Sequence, residues 1–125
     1  MLVVDDEPFL RIAVRRWFER TGWQVIEASD GDHALELLAA PDARRPDVVV
    51  ADRRMPRLDG LALHAALLEH HPALAARFIL ASGDPGEPAL VAFARDTGCP
   101  IVAKPFQLPE LGLLAAQVAE LAPPA

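Results

Sequence analysis

Short apolar runs alternate with amphipathic stretches along the whole chain. The clearest run is Asp47-Val48-Val49-Val50-Ala51-Asp52. Three valines and an alanine without a polar interruption predict a central strand buried on both faces. Met55-Pro56 and Asp59-Gly60 then break it into a turn. Leu2-Val3-Val4 is a shorter run, followed by Asp5-Asp6-Glu7 and by Pro8, which suits the first position of a helix. Leu10, Ala13, Val14, Trp17 and Phe18 recur at helical spacing with Arg11, Arg15, Arg16, Glu19 and Arg20 facing elsewhere, and Gly22 stops that helix. Trp23 to Ala28 predicts a second strand, polar enough at Gln24 and Glu27 for a sheet edge. Ala34, Leu37 and Leu38 mark a second helix up to Pro41. Leu63, Leu67 and Leu68 carry a third, which His70-His71-Pro72 closes. Phe78-Ile79-Leu80-Ala81 is the fourth strand, and Leu90, Val91 and Ala94 give a fourth helix capped by Gly98. Ile101-Val102-Ala103 is the fifth strand, stopped by Lys104-Pro105. Pro109 and Glu110 open a last helix with Leu111, Leu114, Ala115, Val118 and Leu121 on its inner stripe.

Five strand-then-helix units imply an α/β fold, a parallel sheet with helices on both faces. A length of 125 residues fits one domain, and 52% hydrophobic with 24% charged residues is a globular composition. The domain is expected over 1–121, with Ala122-Pro123-Pro124-Ala125 as a tail or the start of a linker. No apolar run approaches the roughly 20 residues a bilayer span needs, so no membrane partner is expected. The start lacks the basic flank of a signal peptide, and the single Cys99 cannot form an internal disulfide. Both fit a cytoplasmic setting. A net charge of −6 argues against direct nucleic-acid binding. The dense basic run Arg53-Arg54, with Arg57 nearby, sits beside Asp52 and belongs to a local site.

Polar residues follow four of the five predicted strands: Asp5 and Asp6, Asp52, Ser82, and Lys104, the one lysine of the chain. In a parallel sheet those ends point the same way and share a crevice where ligands bind. Carboxylates about 4 Å apart repel by roughly 4 kcal/mol per pair at an effective dielectric near 20. They stay ionised together only if a cation joins them, and hard oxygen ligands at an open edge favour Mg²⁺. The lysine is a compact charge suited to a phosphate or to a carboxylate. Taken singly, each residue is equally at home as a strand-end or helix cap.

Four segments together resemble the receiver domains of two-component response regulators: Val3-Val4-Asp5-Asp6-Glu7-Pro8, Asp52 through Gly60 (D-R-R-M-P-R-L-D-G), Ser82-Gly83 and Lys104-Pro105-Phe106. The resemblance covers nearly the whole chain. It implies a flavodoxin-like doubly wound sheet of five parallel strands in the order 2-1-3-4-5. It also implies that Asp52 accepts a phosphoryl group from a histidine kinase or a histidine phosphotransfer protein. Asp6, Asp52 and the backbone carbonyl of Arg54 would then bind Mg²⁺, with Asp5 helping through water. Ser82 and Lys104 would contact phosphoryl oxygens, and a cis bond is possible at Lys104-Pro105. Such a domain catalyses its own phosphorylation and dephosphorylation and turns over no separate substrate.

The family usually carries an aromatic residue where this chain has Ile101, so switching is expected through the loop 83–88 and the fourth helix without a ring movement. Arg54 and Asp84 are expected to form an exposed pair over the crevice. His64 is expected to be partly buried and hydrogen-bonded, and His70-His71 to be a solvated helix end. The face made by the fourth helix, fifth strand and fifth helix, with Ala89, Leu90, Ala92 and Phe93, is apolar enough to meet an output partner or a second copy in a homodimer. Two competitors remain. One is an aspartyl-nucleophile phosphohydrolase, which commonly has a second acid where Arg54 stands. The other is a receiver-fold interaction module that never accepts phosphate, whose usual sign is a missing acid or lysine.

Overall fold

Strand residues that alternate between two apolar faces need helices on both, and the chain supplies them. In a computed structural model residues 1–120 are described; Leu121 and the expected tail at 122–125 lie outside the described residues. The order is β1 (Leu2–Val4), α1 (Pro8–Arg20), β2 (Ile26–Ala28), α2 (Gly31–Ala39), β3 (Val49–Asp52), α3 (Gly60–His70), α4 (Pro72–Ala75), β4 (Phe78–Ser82), α5 (Pro88–Thr97), β5 (Ile101–Ala103) and α6 (Leu108–Ala119). Every strand pair is parallel, and the sheet runs β2-β1-β3-β4-β5. This is the expected order.

The two-residue period sorts the core. Leu2, Val4, Val49, Ala51, Phe78 and Leu80 pack with Ala34, Leu63, Leu67 and Leu90 of α2, α3 and α5. Met1, Val3, Val48, Val50 and Ile79 pack with Val14 and Phe18 of α1 and Leu111, Ala115 and Val118 of α6. Each face is therefore buried by a different set of helices, as a doubly wound sheet requires. Gly98 ends α5 at φ 73°, a left-handed position that glycine adopts without steric cost. The Lys104-Pro105 bond is cis.

Several elements differ from the sequence pattern. Strand β2 starts at Ile26 rather than Trp23, because the Trp23 N–H donates to Phe18 O in the turn that closes α1. The Trp23 ring stacks edge-on against Phe18 instead. The ladder of β3 starts at Val49. A short helix, α4, follows His71, since Pro72 opens a helical turn as readily as it ends one. Ala13, Leu68 and Val91, expected on inner stripes, are exposed, because the sheet covers a narrower arc of each helix than their spacing allows. No described helix is long and apolar enough to cross a membrane.

Candidate functional site

The carboxyl ends of β1, β3, β4 and β5 meet at one edge of the sheet. Asp5 follows β1 and is buried, one carboxylate oxygen accepting the Glu7 N–H at 2.9 Å. Its backbone carbonyl accepts Arg11 Nη1 at 2.6 Å, which fixes the start of the loop. Asp52 closes β3, and Ser82 closes β4 fully buried, its Oγ accepting the Asp84 N–H at 2.9 Å. Lys104 follows β5, held to β4 by a backbone bond to Ser82 O of 2.8 Å. Gly60, the first residue of α3, lies against the Asp52 carbonyl and a Leu80 methyl so closely that any side chain there would collide. That approach lets the β3–α3 loop fold back beside the acid.

Asp5, Asp6 and Asp52 each offer a carboxylate oxygen, and these lie within 4.8 Å of one another. Among the described residues they are the one group of three such side chains that converges. Lys104 Nζ reaches Asp5 Oδ2 at 3.1 Å and Asp52 Oδ1 at 3.4 Å. Burial raises the Asp52 pKa and the Asp5 charge raises it further, against the opposing pull of Lys104. Burial works to lower the Lys104 pKa, but the hydrogen bond and charge of Asp5, with those of Asp52, outweigh it and hold the pKa raised. One ammonium thus balances three acids incompletely, and the donor set of hard oxygens suits a divalent cation.

Beside this cluster lies an open cleft of about 380 Å³, lined by Asp52, Arg54, Ser82, Asp84, Glu87 and Lys104 among others. A larger cleft of about 460 Å³ sits at the opposite end of the sheet, beside Trp23, Arg44 and Asp47, and among the described residues it brings no group of acids together.

Asp5, Asp6, Asp52, Ser82 and Lys104 are therefore all at one edge. The expected Arg54–Asp84 pair does not form. The exposed Arg54 guanidinium lies 3.6 Å from Glu87 instead, while Asp84 turns its backbone N–H to Ser82. The loop turns through Pro85-Gly86, where the Glu87 N–H donates to Asp84 O at 3.1 Å, and Glu87 lines the cleft. Ile101 is half-buried, pairs with Leu80 in the ladder and packs on the core beneath α2, α3 and α5. His64 is buried, its Nε2 3.1 Å from Ala75 O and its ring edge-on to Phe78 and Phe93. Of the His70-His71 pair expected to be solvated, His70 is exposed and His71 is half-buried where its backbone turns into α4.

The sequence pattern set Arg53 beside the site only as part of a basic run, without its partners, and it missed Glu87. Arg53 is a largely buried cation that donates to Asp59 Oδ2 at 2.7 Å and to Glu87 Oε1 at 3.1 Å. Continuing the alternation of Val49 and Ala51 by one more step would have placed Arg53 on the same inner face.

Known proteins are similar to this chain over most of its length. The family model described as response regulator receiver domain matches residues 1–115. The response regulator MprA of Mycolicibacterium vanbaalenii is 38% identical over 122 residues, covering 89% of this chain and 46% of that protein. The crystal structure of the receiver domain of NtrX from Brucella abortus superposes with a TM-score of 0.81 at 31% identity, covering 97% of this chain and 98% of that one. The response regulator TrrA of Thermotoga maritima, crystallised in complex with Mg²⁺ and BeF, gives a TM-score of 0.75 at 25% identity over 94% of this chain and 96% of that one. The chain spans about half the length of relatives such as MprA.

Proposed function

The chain belongs to the response regulator receiver domain family, whose general function is to accept a phosphoryl group in two-component signalling, and on that premise we propose that Asp52 is the phosphoacceptor. An oxygen of the Asp52 carboxylate attacks the phosphorus of a phosphohistidine on a histidine kinase or phosphotransfer protein. The new P–O bond forms as the P–N bond breaks, and the imidazole leaves with its electron pair. Lys104, already 3.4 Å from Asp52, donates to a phosphoryl oxygen, and the Ser82 hydroxyl donates to another while still accepting from Asp84. Phosphoryl transfer passes through a loose, charge-spread transition state, so pre-placed donors carry most of the catalysis.

The carboxylates of Asp5, Asp6 and Asp52, with the backbone carbonyl of Arg54, are the groups that would hold Mg²⁺, as their hard oxygen chemistry favours. When bound, the ion supplies neutralisation of the crowded negative charge. Asp5, Asp6 and Lys104 orient the acceptor, and the buried Ser82 keeps water from one side of it. The domain works in the cytoplasm, turns over no separate substrate, and signals through the α5–β5–α6 face to an output partner or a second copy. Val91, exposed on α5, supports that face as a contact surface.

The convergence of three acids and the lone ammonium at one sheet edge carries this function. Labelling by a small acyl phosphate tests it. One phosphoryl group per chain is expected, dependent on Mg²⁺ and lost in Asp52→Asn. Labelling that persists in Asp52→Asn, or none in the wild type with any donor, would refute it.

A further inference from the structure

Arg53 follows the phosphoacceptor, yet only 12% of its side chain is exposed. Its Nη1 and Nη2 bind Asp59 and Glu87, and its Nε is buried without a hydrogen-bond partner. A cation is kept in such a place only when anions hold it. The two anions come from different loops. Asp59 precedes α3, and its second oxygen caps that helix by accepting the Ala62 N–H at 2.9 Å. Glu87 precedes α5 but makes no side-chain cap; its carboxylate turns away to Arg53 and Arg54. Among the described residues of the exposed loop 83–87, Glu87 is the side chain that an ion pair ties to another element.

Glu87 and Asp52 also line the same cleft. A phosphoryl group on Asp52 adds roughly one negative charge there. It repels Glu87 and competes for Arg54, so the event that loads Asp52 weakens the hold on Glu87. Such a difference in interaction between two states is what shifts an equilibrium. Ile101 has neither ring nor hydroxyl with which to do the same.

We propose that the Arg53–Glu87 ion pair is a resting latch, holding the N-terminus of α5 until a phosphoryl group on Asp52 displaces the Glu87 carboxylate. Both are positioning residues, and the latch rests on Asp52 being the phosphoacceptor.

Backbone amide NMR of the full chain tests it, using the wild type with and without Mg²⁺ and beryllofluoride, and the free variants Glu87→Gln, Arg53→Met and Asp59→Asn. In Glu87→Gln and Arg53→Met, signals from 83–97 are expected to move along the line joining the free and beryllofluoride-bound wild type. Loss of a charge-assisted hydrogen bond should raise the bound-like population on the order of tenfold. Asp59→Asn keeps a capping side chain and leaves Arg53 on Glu87, so its signals there should stay at the free position. If Glu87→Gln coincides with the free wild type or moves off the line, the latch is wrong while the phosphoacceptor stands. If Asp59→Asn moves as far as Glu87→Gln, the effect is general loosening and the latch is again wrong. A wild type that does not respond to beryllofluoride overturns the phosphoacceptor assignment and the latch with it.

Discussion

Replacing Lys104 by methionine keeps the length of the side chain and removes the ammonium that faces two buried carboxylates. Two ion pairs disappear with it, at 3.1 Å to Asp5 and 3.4 Å to Asp52, each roughly 5 kcal/mol of gross attraction at an effective dielectric near 20. Dehydrating the ammonium offsets much of that, and removing one partner of a buried pair costs about 3–5 kcal/mol. Lys104 keeps some contact with solvent, so we expect the lower end, about 3 kcal/mol. For a domain of this size that lowers the Tm by about 10 °C. The damage should fall on the carboxylates left facing each other. Asp5→Asn in the Lys104→Met background is therefore expected to restore about half the loss, and a double-mutant cycle should show coupling above about 1 kcal/mol. Millimolar Mg²⁺ should stabilise Lys104→Met more than the wild type, because binding to the folded state alone adds stability. Urea unfolding followed by circular dichroism, with and without Mg²⁺, measures all of this. A loss below about 0.5 kcal/mol, within the range of ordinary surface changes, together with zero coupling would refute the electrostatic account of the site.

Gly60→Ala places a methyl against the Asp52 carbonyl and Leu80, neither of which can yield cheaply, so a loss of about 1–3 kcal/mol and failure to bind beryllofluoride are expected. A urea midpoint equal to wild type would contradict the close approach. Gly112→Ala pushes on the six-membered ring of Trp17, and tryptophan emission should change along with a loss of about 1 kcal/mol. Unaltered emission would show that the ring is free to move. Burial lowers the His64 pKa below 6.5, against the opposing hydrogen bond to Ala75, so the unfolded chain binds the proton more readily. Stability should fall as pH drops below about 6.5 and be independent of this group above it. A His64→Gln variant should flatten that slope in urea midpoints measured between about pH 5 and 7.5; an unchanged slope would exclude His64 as its source.

The strands, the two-sided core and the cluster of acids with a lysine were legible in the sequence because each is a local or periodic signal. Val48 through Ala51 must be buried whatever surrounds them, and a polar residue just past such a run must stand at the end of a strand. Parallel topology then brings Asp5, Asp52, Ser82 and Lys104 to one edge with little further information. Helix spacing was a weaker guide. It marked Ala13, Leu68 and Val91 as inner, and only the arc that the sheet covers decided that they are not. Arg54 turning to Glu87 rather than Asp84, and Arg53 pairing with Glu87 34 positions away, depend on the paths of two loops. A one-dimensional pattern assigns residues to faces. Which charges meet across those faces is set by where the tertiary structure carries the backbone between them.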